Sequence, residues 1–268
     1  MCFQQIIDFD QRGRRVQNRL FKYYPLKEYH FKAFLDNQLY LASSSILNDR
    51  YDTSSVLIES FPHFKQMIGW TQQQGDILDS HGICSFIEAK DVKNARMWSL
   101  YADNFNGFAL EFAPRRLENR SYAPIHLMPV TYLDKPLDLD NTKIKIKINE
   151  DIIRISDIAT DDKLLDRVFQ CMHLAKNKSV WQDENEWRMV VGNVRPKCCQ
   201  KKGNGYLLPI DSSAYISIYI GDRVAKEYRD ALAQVASSKG VNAFIVEPRI
   251  INGTWDMFVS EFACSPSR

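Results

Sequence analysis

The chain has 268 residues, of which 45% are hydrophobic and 25% are charged, the profile of a soluble globular protein with a sizeable core. The formal net charge of +2 gives no bulk electrostatic reason to expect binding to nucleic acid or to an acidic membrane. No run of about 20 apolar residues occurs, so the sequence predicts no membrane-spanning helix.

The cysteines and histidines do not have the spacing of a metal site. The six cysteines include no C-x-x-C pair and the five histidines are scattered, so we expect no metal and a reducing compartment. Residues 1–15 place an apolar piece before three arginines, the reverse of a secretory signal. The expected location is therefore cytoplasmic, and secretion without a signal peptide into a host cell stays open.

Hydrophobic periodicity and turn signals divide the chain into alternating strands and helices. With no repeat, linker or domain boundary in view, they predict a lead segment over 1–19 and one α+β domain over 20–268. The predicted strands cover 20–24, 38–45, 82–87, 107–112, 125–132, 142–148, 206–210, 215–220 and 243–246, and the predicted helices cover 26–37, 61–78, 93–103, 161–178 and 225–239.

Residues 142–148 alternate strictly between lysine and isoleucine after Thr142. This pattern is typical of an edge strand that lysines protect from pairing with another chain. A polyanion-binding site is the alternative.

The stretch Trp181–Arg188 carries the strongest chemical signal. It is polar and acidic and leads into an apolar, β-branched run, so we expect a loop that enters a strand. On an extended chain Glu184 and Glu186 share one face, while Trp187 anchors the core on the other. Two adjacent carboxylates repel each other, which raises the pKa of one of them, as is typical of functional sites. The alternative is a solvated strand edge on which Arg188 or a lysine neutralises one glutamate.

Six motifs in a fixed order resemble the bacterial family catalogued as domain of unknown function 2971. The resemblance covers roughly residues 20–220, and Asn-Asp-Arg-Tyr-Asp replaces the Asn-Asp-Pro-Phe-Asp that is more usual in the family. The motifs are Leu20-Phe21-Lys22-Tyr23, Leu47-Asn48-Asp49-Arg50-Tyr51-Asp52, Ile83-Cys84-Ser85-Phe86, Met97-Trp98-Ser99-Leu100-Tyr101-Ala102, Gly107-Phe108-Ala109-Leu110-Glu111-Phe112 and Trp181 to Arg188.

Through this family the chain also resembles the ADP-ribosyltransferase superfamily. The resemblance implies a split, mixed and antiparallel sheet flanked by helices, a basic residue on the first strand, a serine on a middle strand and Glu-x-Glu entering a late strand. Lys22 holds the first of these positions, with Arg19 as an alternative, and Ser85 holds the second, with Ser43 to Ser45 as an alternative. Glu184-Asn185-Glu186 supplies the acidic motif.

The same resemblance implies NAD as the substrate and gives the residues their roles. Glu186 stabilises the positive charge that develops on the ribose as the bond to nicotinamide breaks. Glu184 orients or deprotonates the incoming nucleophile, and Ser85 holds Glu186 through a hydrogen bond. Lys22 neutralises phosphate, aromatic rings contact the nicotinamide, and two further polar residues complete the cofactor contacts. Those rings and polar residues are Tyr23, Trp98, Tyr101, Asn48 and Arg188.

Each of these residues also has a structural interpretation. Trp98 and Tyr101 have the spacing of a helix face that packs in a core, and Asn48 suits a turn. Lys22 fits an exposed strand lysine. Arg188 fits an ion pair with Asp49, Asp52 or Glu111.

The expected activity is mono-ADP-ribosylation of a protein side chain, with arginine favoured, by a bacterial toxin or an effector that acts on a host protein. A non-catalytic module that binds a nucleotide or a partner is one alternative. An RNA-directed transferase is another, and it would need a basic groove. The candidates for that groove are Lys143, Lys145, Lys147 and the turn over 197–202.

Overall fold

The structure is a computed structural model. It describes residues 6–8, 15–47, 49, 52, 58–79, 81–118, 127–141, 145–148, 151–160, 162–191 and 199–262. The fold is α+β, with mixed β-sheet and helices. The described residues belong to two compact units, each assembled from three stretches of the chain.

The described elements agree with most of the predicted ones and add several short ones. The strands are β1 (Ile6–Asp8), β2 (Arg19–Pro25), β3 (Gln38–Ser43), β4 (Gly82–Ala89), β5 (Gly107–Phe112), β6 (Leu127–Pro129), β7 (Thr131–Leu133), β8 (Lys145–Ile148), β9 (Asp151–Arg154), β10 (Ala175–Asn177), β11 (Glu186–Val191), β12 (Gln200–Lys202), β13 (Gly205–Pro209), β14 (Tyr215–Gly221), β15 (Asn242–Ile251) and β16 (Thr254–Glu261). The α-helices are α1 (Glu28–Leu35), α2 (Pro62–Met67), α3 (Gln72–Asp79), α4 (Ala95–Tyr101), α5 (Pro114–Glu118), α6 (Asp162–Met172), α7 (Lys178–Trp181) and α8 (Lys226–Ser238).

The first unit contains Met1–Arg15, Tyr40–Ser85 and Ser121–Leu208. In it β8 pairs with β1 in parallel and with β9 in antiparallel orientation, while β7 and β10 form a parallel pair. Strand β11 pairs with β4 and, in antiparallel orientation, with β6. Glu186 is therefore the first residue of a strand with a neighbour on each side.

The core of the first unit is aliphatic and lies around helix α6. Leucine, valine and phenylalanine side chains of this helix are buried against α2, α3 and the small β1–β8–β9 sheet, which removes their apolar surface from water. The fully or almost fully buried members include Phe64, Leu78, Leu139, Ile146, Ile155, Val168, Phe169 and Leu174.

The second unit contains Val16–Leu39, Phe86–Arg120 and Pro209–Arg268. Its mixed sheet pairs β2 with β5 and with the end of β4, and β14 with β5, all in antiparallel orientation. Helix α8 makes the crossover that the parallel pair β14–β15 requires, and β16 pairs antiparallel with β15.

An aromatic group forms the core on one face of this second sheet. Trp98 of helix α4 is completely buried and stacks on Phe105 with ring centroids 5.4 Å apart. Its ring also makes an edge contact with Tyr23, at 5.5 Å between centroids. Both polar groups of this pair are satisfied, because the indole N–H (2.8 Å) and the Tyr23 hydroxyl (3.3 Å) donate to the carbonyl oxygen of Val92.

The lysine and isoleucine strand is not an edge strand, so that prediction is wrong. Strand β8 lies between β1 and β9, and Ile146 is completely buried. The strands that flank it come from the lead segment and from residues 151–154, for which the sequence predicted no strand. Residues 6–8 of the lead segment thus pair within the first unit.

Two predicted helices are shorter than expected. Residues 61–78 form two helices, because Gly69 has a φ of +60° and ends α2 in the left-handed region that favours glycine. The helix predicted to extend to residue 178 ends at Met172, and Lys176 lies on strand β10, which pairs with β7. Lys176, which lies within the helix predicted over 161–178, is therefore a strand residue.

Replacing Trp98 by alanine should lower the free energy of unfolding by about 3–5 kcal/mol, because a large aromatic side chain leaves a cavity in the core. Trp255 is 91% exposed in the same unit, and Trp255→Ala should change that free energy by less than about 0.5 kcal/mol. Urea unfolding followed by circular dichroism measures both changes. Equal effects of the two substitutions would contradict a core role for Trp98.

Candidate functional site

The acidic motif enters strand β11 through a turn. Residues Gln182–Glu184 form a 3-10 turn, and Asn185 has φ 47° and ψ 53°, in the left-handed region. Asparagine tolerates this conformation better than most residues, because its short polar side chain can hydrogen-bond locally. The extended alternation predicted from Glu184 to Glu186 is therefore wrong, although Trp187 is buried as expected.

Glu186 is 3% exposed and is surrounded by hydrogen-bond donors. Its Oε1 accepts a hydrogen bond from Arg188 Nε at 2.6 Å, and its Oε2 lies 2.9 Å from Lys176 Nζ. The hydroxyl of Ser85 also hydrogen-bonds to this carboxylate. The backbone N–H of Glu186 donates to the Tyr132 hydroxyl at 2.8 Å. Side chains and backbone together hold the carboxylate in one position.

Arg188 is the centre of this arrangement and is 1% exposed. Its Nη1 and Nη2 donate to the two oxygens of Asp52 at 2.8 and 3.0 Å, the bidentate geometry that suits a guanidinium and a carboxylate. Nη1 also donates to the His173 carbonyl at 2.6 Å and Nη2 to Glu186 Oε2 at 3.3 Å. Together with Nε, all five N–H groups are engaged. The ion pair with Asp52 is thus present, and Arg188 has no donor left for a phosphate.

The two carboxylates that share Arg188 differ in pKa. Burial by itself would raise the pKa of Glu186, but the charges of Arg188 and Lys176 outweigh it and lower the pKa to about 2. Burial raises the pKa of Asp52, and Arg188 opposes that rise. A raised pKa was expected for one of the two glutamates. The carboxylate whose pKa is raised is instead Asp52, whereas Glu186 is held ionised.

Lys176 joins the two glutamates. Its Nζ lies 3.1 Å from Glu184 Oε2 and 2.9 Å from Glu186 Oε2. It also lies over the ring of Trp181, 4.3 Å from the centroid. Glu184 is 1% exposed. The two carboxylates therefore come together around a shared ammonium group, which removes the repulsion expected between them.

The serine of the predicted motif is Ser85. It makes the hydrogen bond to Glu186 that the resemblance implied. Ser43, the first member of the rival group, instead accepts from the N–H of Ser45 and donates to the carbonyl of Asp79, at the start of a 3-10 turn. That group has a local capping role.

A histidine pair lies behind Arg188. His81 and His173 are completely buried, with ring centroids 4.9 Å apart. His81 contacts the Leu78 carbonyl at 2.9 Å and Asp166 at 3.2 Å. Among the described residues, neither ring nitrogen of His173 has a hydrogen-bond partner. Burial and the charges of His81 and Arg188 lower the pKa of His173 well below its usual range, so its ring is neutral.

The other predicted cofactor contacts belong to the second unit. Trp98 and Tyr23 are core residues there. Their rings contact each other, Trp98 also stacks on Phe105, and the Tyr23 hydroxyl donates to the Val92 carbonyl, so neither ring offers a free face to a nicotinamide. Tyr101 is partly buried against the same core. Lys22 is partly buried, with its Nζ 5.4 Å from the ring centroid of Tyr24. Their roles toward NAD stay predictions, and Asn48 lies outside the described residues.

A second buried carboxylate occurs in that unit. Glu111 is 3% exposed and accepts a hydrogen bond from the Tyr219 hydroxyl at 2.9 Å. The Nε of Arg19 lies 3.7 Å from its other oxygen. Arg19, the alternative to Lys22 in the sequence analysis, therefore pairs with Glu111.

Sequence reasoning missed Lys176 and Tyr132 as members of the acidic site. Lys176 has the signal of a helix-closing lysine, and Tyr132 is the last residue of a predicted strand, where nothing in its sequence neighbourhood points to Glu186. Asp52 was named, as one of several partners for Arg188. Only the pairing of β6, β7, β10 and β11 brings these residues to Glu186.

Comparison with known proteins gives one match. The model of a family described as Protein of unknown function (DUF2971) matches residues 97–189. No curated protein and no solved structure matches the chain. The resemblance to this family is thus supported from helix α4 to strand β11, which includes Glu184 and Glu186. The link to ADP-ribosyltransferases stays a prediction.

None of the helices in the described part of the chain has the length and apolarity that a membrane span needs.

Removing one member of the buried ion pair should be strongly destabilising. Arg188→Met or Asp52→Ala leaves a buried charge without its partner and should cost about 3–5 kcal/mol of unfolding free energy. The changes should be non-additive in the double variant, because each single change already breaks the contact. Arg249→Met is the control, since the Arg249–Glu247 pair is 47% and 39% exposed and, as an ion pair in contact with water, should contribute little to stability. Urea unfolding measures all four variants, and additive effects would contradict a coupled pair.

The free energy of unfolding should fall steeply in acid, because Glu186 becomes protonated. Its pKa is about 2 in the folded chain and about 4.3 when unfolded, so the unfolded chain binds the proton first as pH falls. The stabilisation is present above about pH 4.3 and is lost as the pH falls toward about 2. Unfolding measured between these values should show a smaller pH dependence in Glu186→Gln than in wild type. Glu227→Gln, at an exposed helix position, should follow wild type, and parallel curves for wild type and Glu186→Gln would contradict the lowered pKa.

Proposed function

We propose that this chain is an NAD-dependent mono-ADP-ribosyltransferase that modifies a protein side chain, with arginine favoured. The observation that carries the proposal is the Glu186 carboxylate, which is ionised and fixed by Ser85, Arg188 and Lys176 at the start of β11. Of these three contacts, the hydrogen bond from Ser85 was expected from the resemblance. As part of this proposal, the enzyme acts as a toxin or translocated effector on a host protein.

The chemistry suits a fixed negative charge. When the bond between nicotinamide and the ribose C1′ breaks, its electron pair leaves with nicotinamide and positive charge develops on the ribose. An ionised carboxylate in a low-dielectric site stabilises that charge strongly and needs no reorganisation. A group with a pKa near 2 remains an anion at neutral pH, so Glu186 is suited to this role and not to that of a general acid.

Glu184 has the second role in the proposed reaction. It is linked to Glu186 through Lys176, with both carboxylates within 3.1 Å of the same ammonium group. Beside Glu186 it orients the acceptor nitrogen and accepts the proton that this nitrogen loses as the new bond to C1′ forms. Of the predicted cofactor contacts, Lys22 and Tyr101 remain in the proposal, and Trp98, Tyr23 and Arg188 are assigned to structural roles.

One observation favours a non-catalytic alternative. Glu186 accepts hydrogen bonds or ion-pair contacts from three side chains and is 3% exposed, as is typical of a structural ion-pair network. In this alternative the first unit has a stabilising network, and the chain binds a nucleotide or a partner without chemistry. It predicts that no Glu186 substitution changes any turnover of NAD.

Incubation with NAD labelled in the adenylate part, in a cell lysate, separates the two proposals. Wild type should transfer label to protein and release nicotinamide, and Glu186→Gln should lower both rates by about 10²-fold or more, the scale of one lost electrostatic contact in a transition state. Glu184→Gln should lower label transfer more than nicotinamide release. Glu247→Gln, at an exposed glutamate, is the control.

Thermal unfolding of each variant must accompany these rates, so that a fall in activity is not mistaken for unfolding. Absence of label transfer and of nicotinamide release in folded wild-type protein would reject the transferase proposal. It would leave the binding module as the better account.

A further inference from the structure

The proposed function requires a movement at the acidic site, and the inference below rests on that function. Glu184 and Glu186 are 1% and 3% exposed. A carboxylate that stabilises a ribose must touch it, which a side chain with almost no accessible surface cannot do. Some part of the chain that covers these two residues must therefore move aside before substrate binds.

Lys176 is a group that contacts both carboxylates. Its ammonium group lies 3.1 Å from Glu184, 2.9 Å from Glu186 and 4.3 Å from the centroid of the Trp181 ring. A primary ammonium has three N–H groups, and here it has two carboxylates and one aromatic face around it. Two anions and a ring face are also the surroundings that bind a foreign cation well. Lys176 thus occupies a site with the chemistry of a cation-binding site.

The segment that carries these groups is built from very short elements. Strand β10 has three residues, helix α7 has four, and the 3-10 turn that follows has three. Lys176 and Glu184 are only eight residues apart in sequence. Short elements of this kind, one of which pairs with β7, can open with a lower free energy than the core strands beside them.

Lys176 and Trp181 also differ from Arg188 in the residues that they contact. Arg188 is bound to Asp52 and to the His173 backbone, which are contacts with distant parts of the first unit. The ion-pair and ring contacts of the Lys176 side chain described above all lie within residues 176–186, while its backbone belongs to the β10–β7 pair. Withdrawing the Lys176 side chain therefore leaves the contacts of Arg188 and of Ser85 with Glu186 in place.

We propose that Lys176 and Trp181 form a clasp over Glu184 and Glu186, and that the clasp opens when a cationic side chain of the protein substrate takes the place of the Lys176 ammonium group. The closed clasp is an autoinhibitory contact, because it hides the acidic pair from NAD. The substrate supplies the charge that Lys176 withdraws, so the two glutamates are never left without a counter-charge. Activity is thereby linked to the presence of a basic acceptor.

Carboxylate labelling tests the clasp without any need for NAD. The variant Lys176→Met keeps the length of the side chain and removes its charge, and Lys178→Met is the matched control, because the Lys178–Asp134 pair is 45% and 82% exposed. Carbodiimide coupling of glycinamide, read by peptide mass spectrometry, should modify Glu184 at least about tenfold faster in Lys176→Met than in wild type or Lys178→Met, a difference of about 1.4 kcal/mol in opening. Asp183 is exposed and lies in the same peptide, so its rate of labelling shows whether the reagent is equally active in each sample.

A second labelling experiment tests which kind of cation can take the place of the Lys176 ammonium group. Ethylguanidinium should restore protection of Glu184 in Lys176→Met, and sodium chloride at the same ionic strength should not. Trp181→Leu, which keeps every charge, should also increase labelling and gives a second test if Lys176→Met does not fold. Labelling of Glu184 that is equally slow in Lys176→Met, Trp181→Leu and Lys178→Met would overturn the clasp.

The two proposals can fail separately. If labelling responds as expected but no variant cleaves NAD, the clasp stands and the transferase function is rejected. If wild type transfers ADP-ribose while Lys176→Met neither labels faster nor turns over NAD faster in the absence of acceptor, the function stands and the clasp is rejected.

Discussion

The buried guanidinium of Arg188 is the interaction on which the candidate site depends. Its five N–H groups join Asp52, Glu186 and the backbone of His173, so residues distant in sequence meet at one side chain. A buried charge is tolerated only when it is paired and fully hydrogen-bonded. The same requirement holds Glu186, the first residue of β11, beside Arg188. The rest of the site is arranged around that fixed pair.

This arrangement changes what the Glu-x-Glu motif can do. Two carboxylates alone would repel each other, and one of them would retain its proton near neutral pH. Here Lys176 lies between Glu184 and Glu186, and Arg188 adds a second positive charge. Glu186 is consequently an anion over the whole physiological range, and the carboxylate with the raised pKa is Asp52, on the far side of Arg188. A motif that suggests acid–base chemistry in sequence therefore supplies a fixed negative charge in the fold.

Much of the fold was predictable because most elements have a clear local signal. The strands at 19–25, 82–89, 107–112 and 215–221 and the helices at 28–35, 95–101 and 226–238 lie where periodicity placed them. The wrong predictions occur where a contact with a residue distant in sequence determines the secondary structure or its place in the sheet. Strand β8 has the pattern of an edge but lies between two strands, and Lys176 has the position of a helix end but joins a strand. Residues 254–261 form β16, for which no strand was predicted, with Trp255 exposed.

The sequence by itself determined the α+β character, the acidic motif before a strand and Trp187 as a core residue, because composition and local spacing encode them. The role of Ser85 toward Glu186 was implied by the family resemblance alone. It could not separate a core tryptophan from one that binds a ring, since both give Trp98 the same helical spacing. Only the tertiary structure decided that Trp98 is covered by Phe105 and Tyr23 and that Asp52 and Lys176 neutralise the acidic site. The physical reason is that burial and charge pairing depend on which parts of the chain become neighbours, and the contact between Asp52 and Arg188 joins residues 136 positions apart.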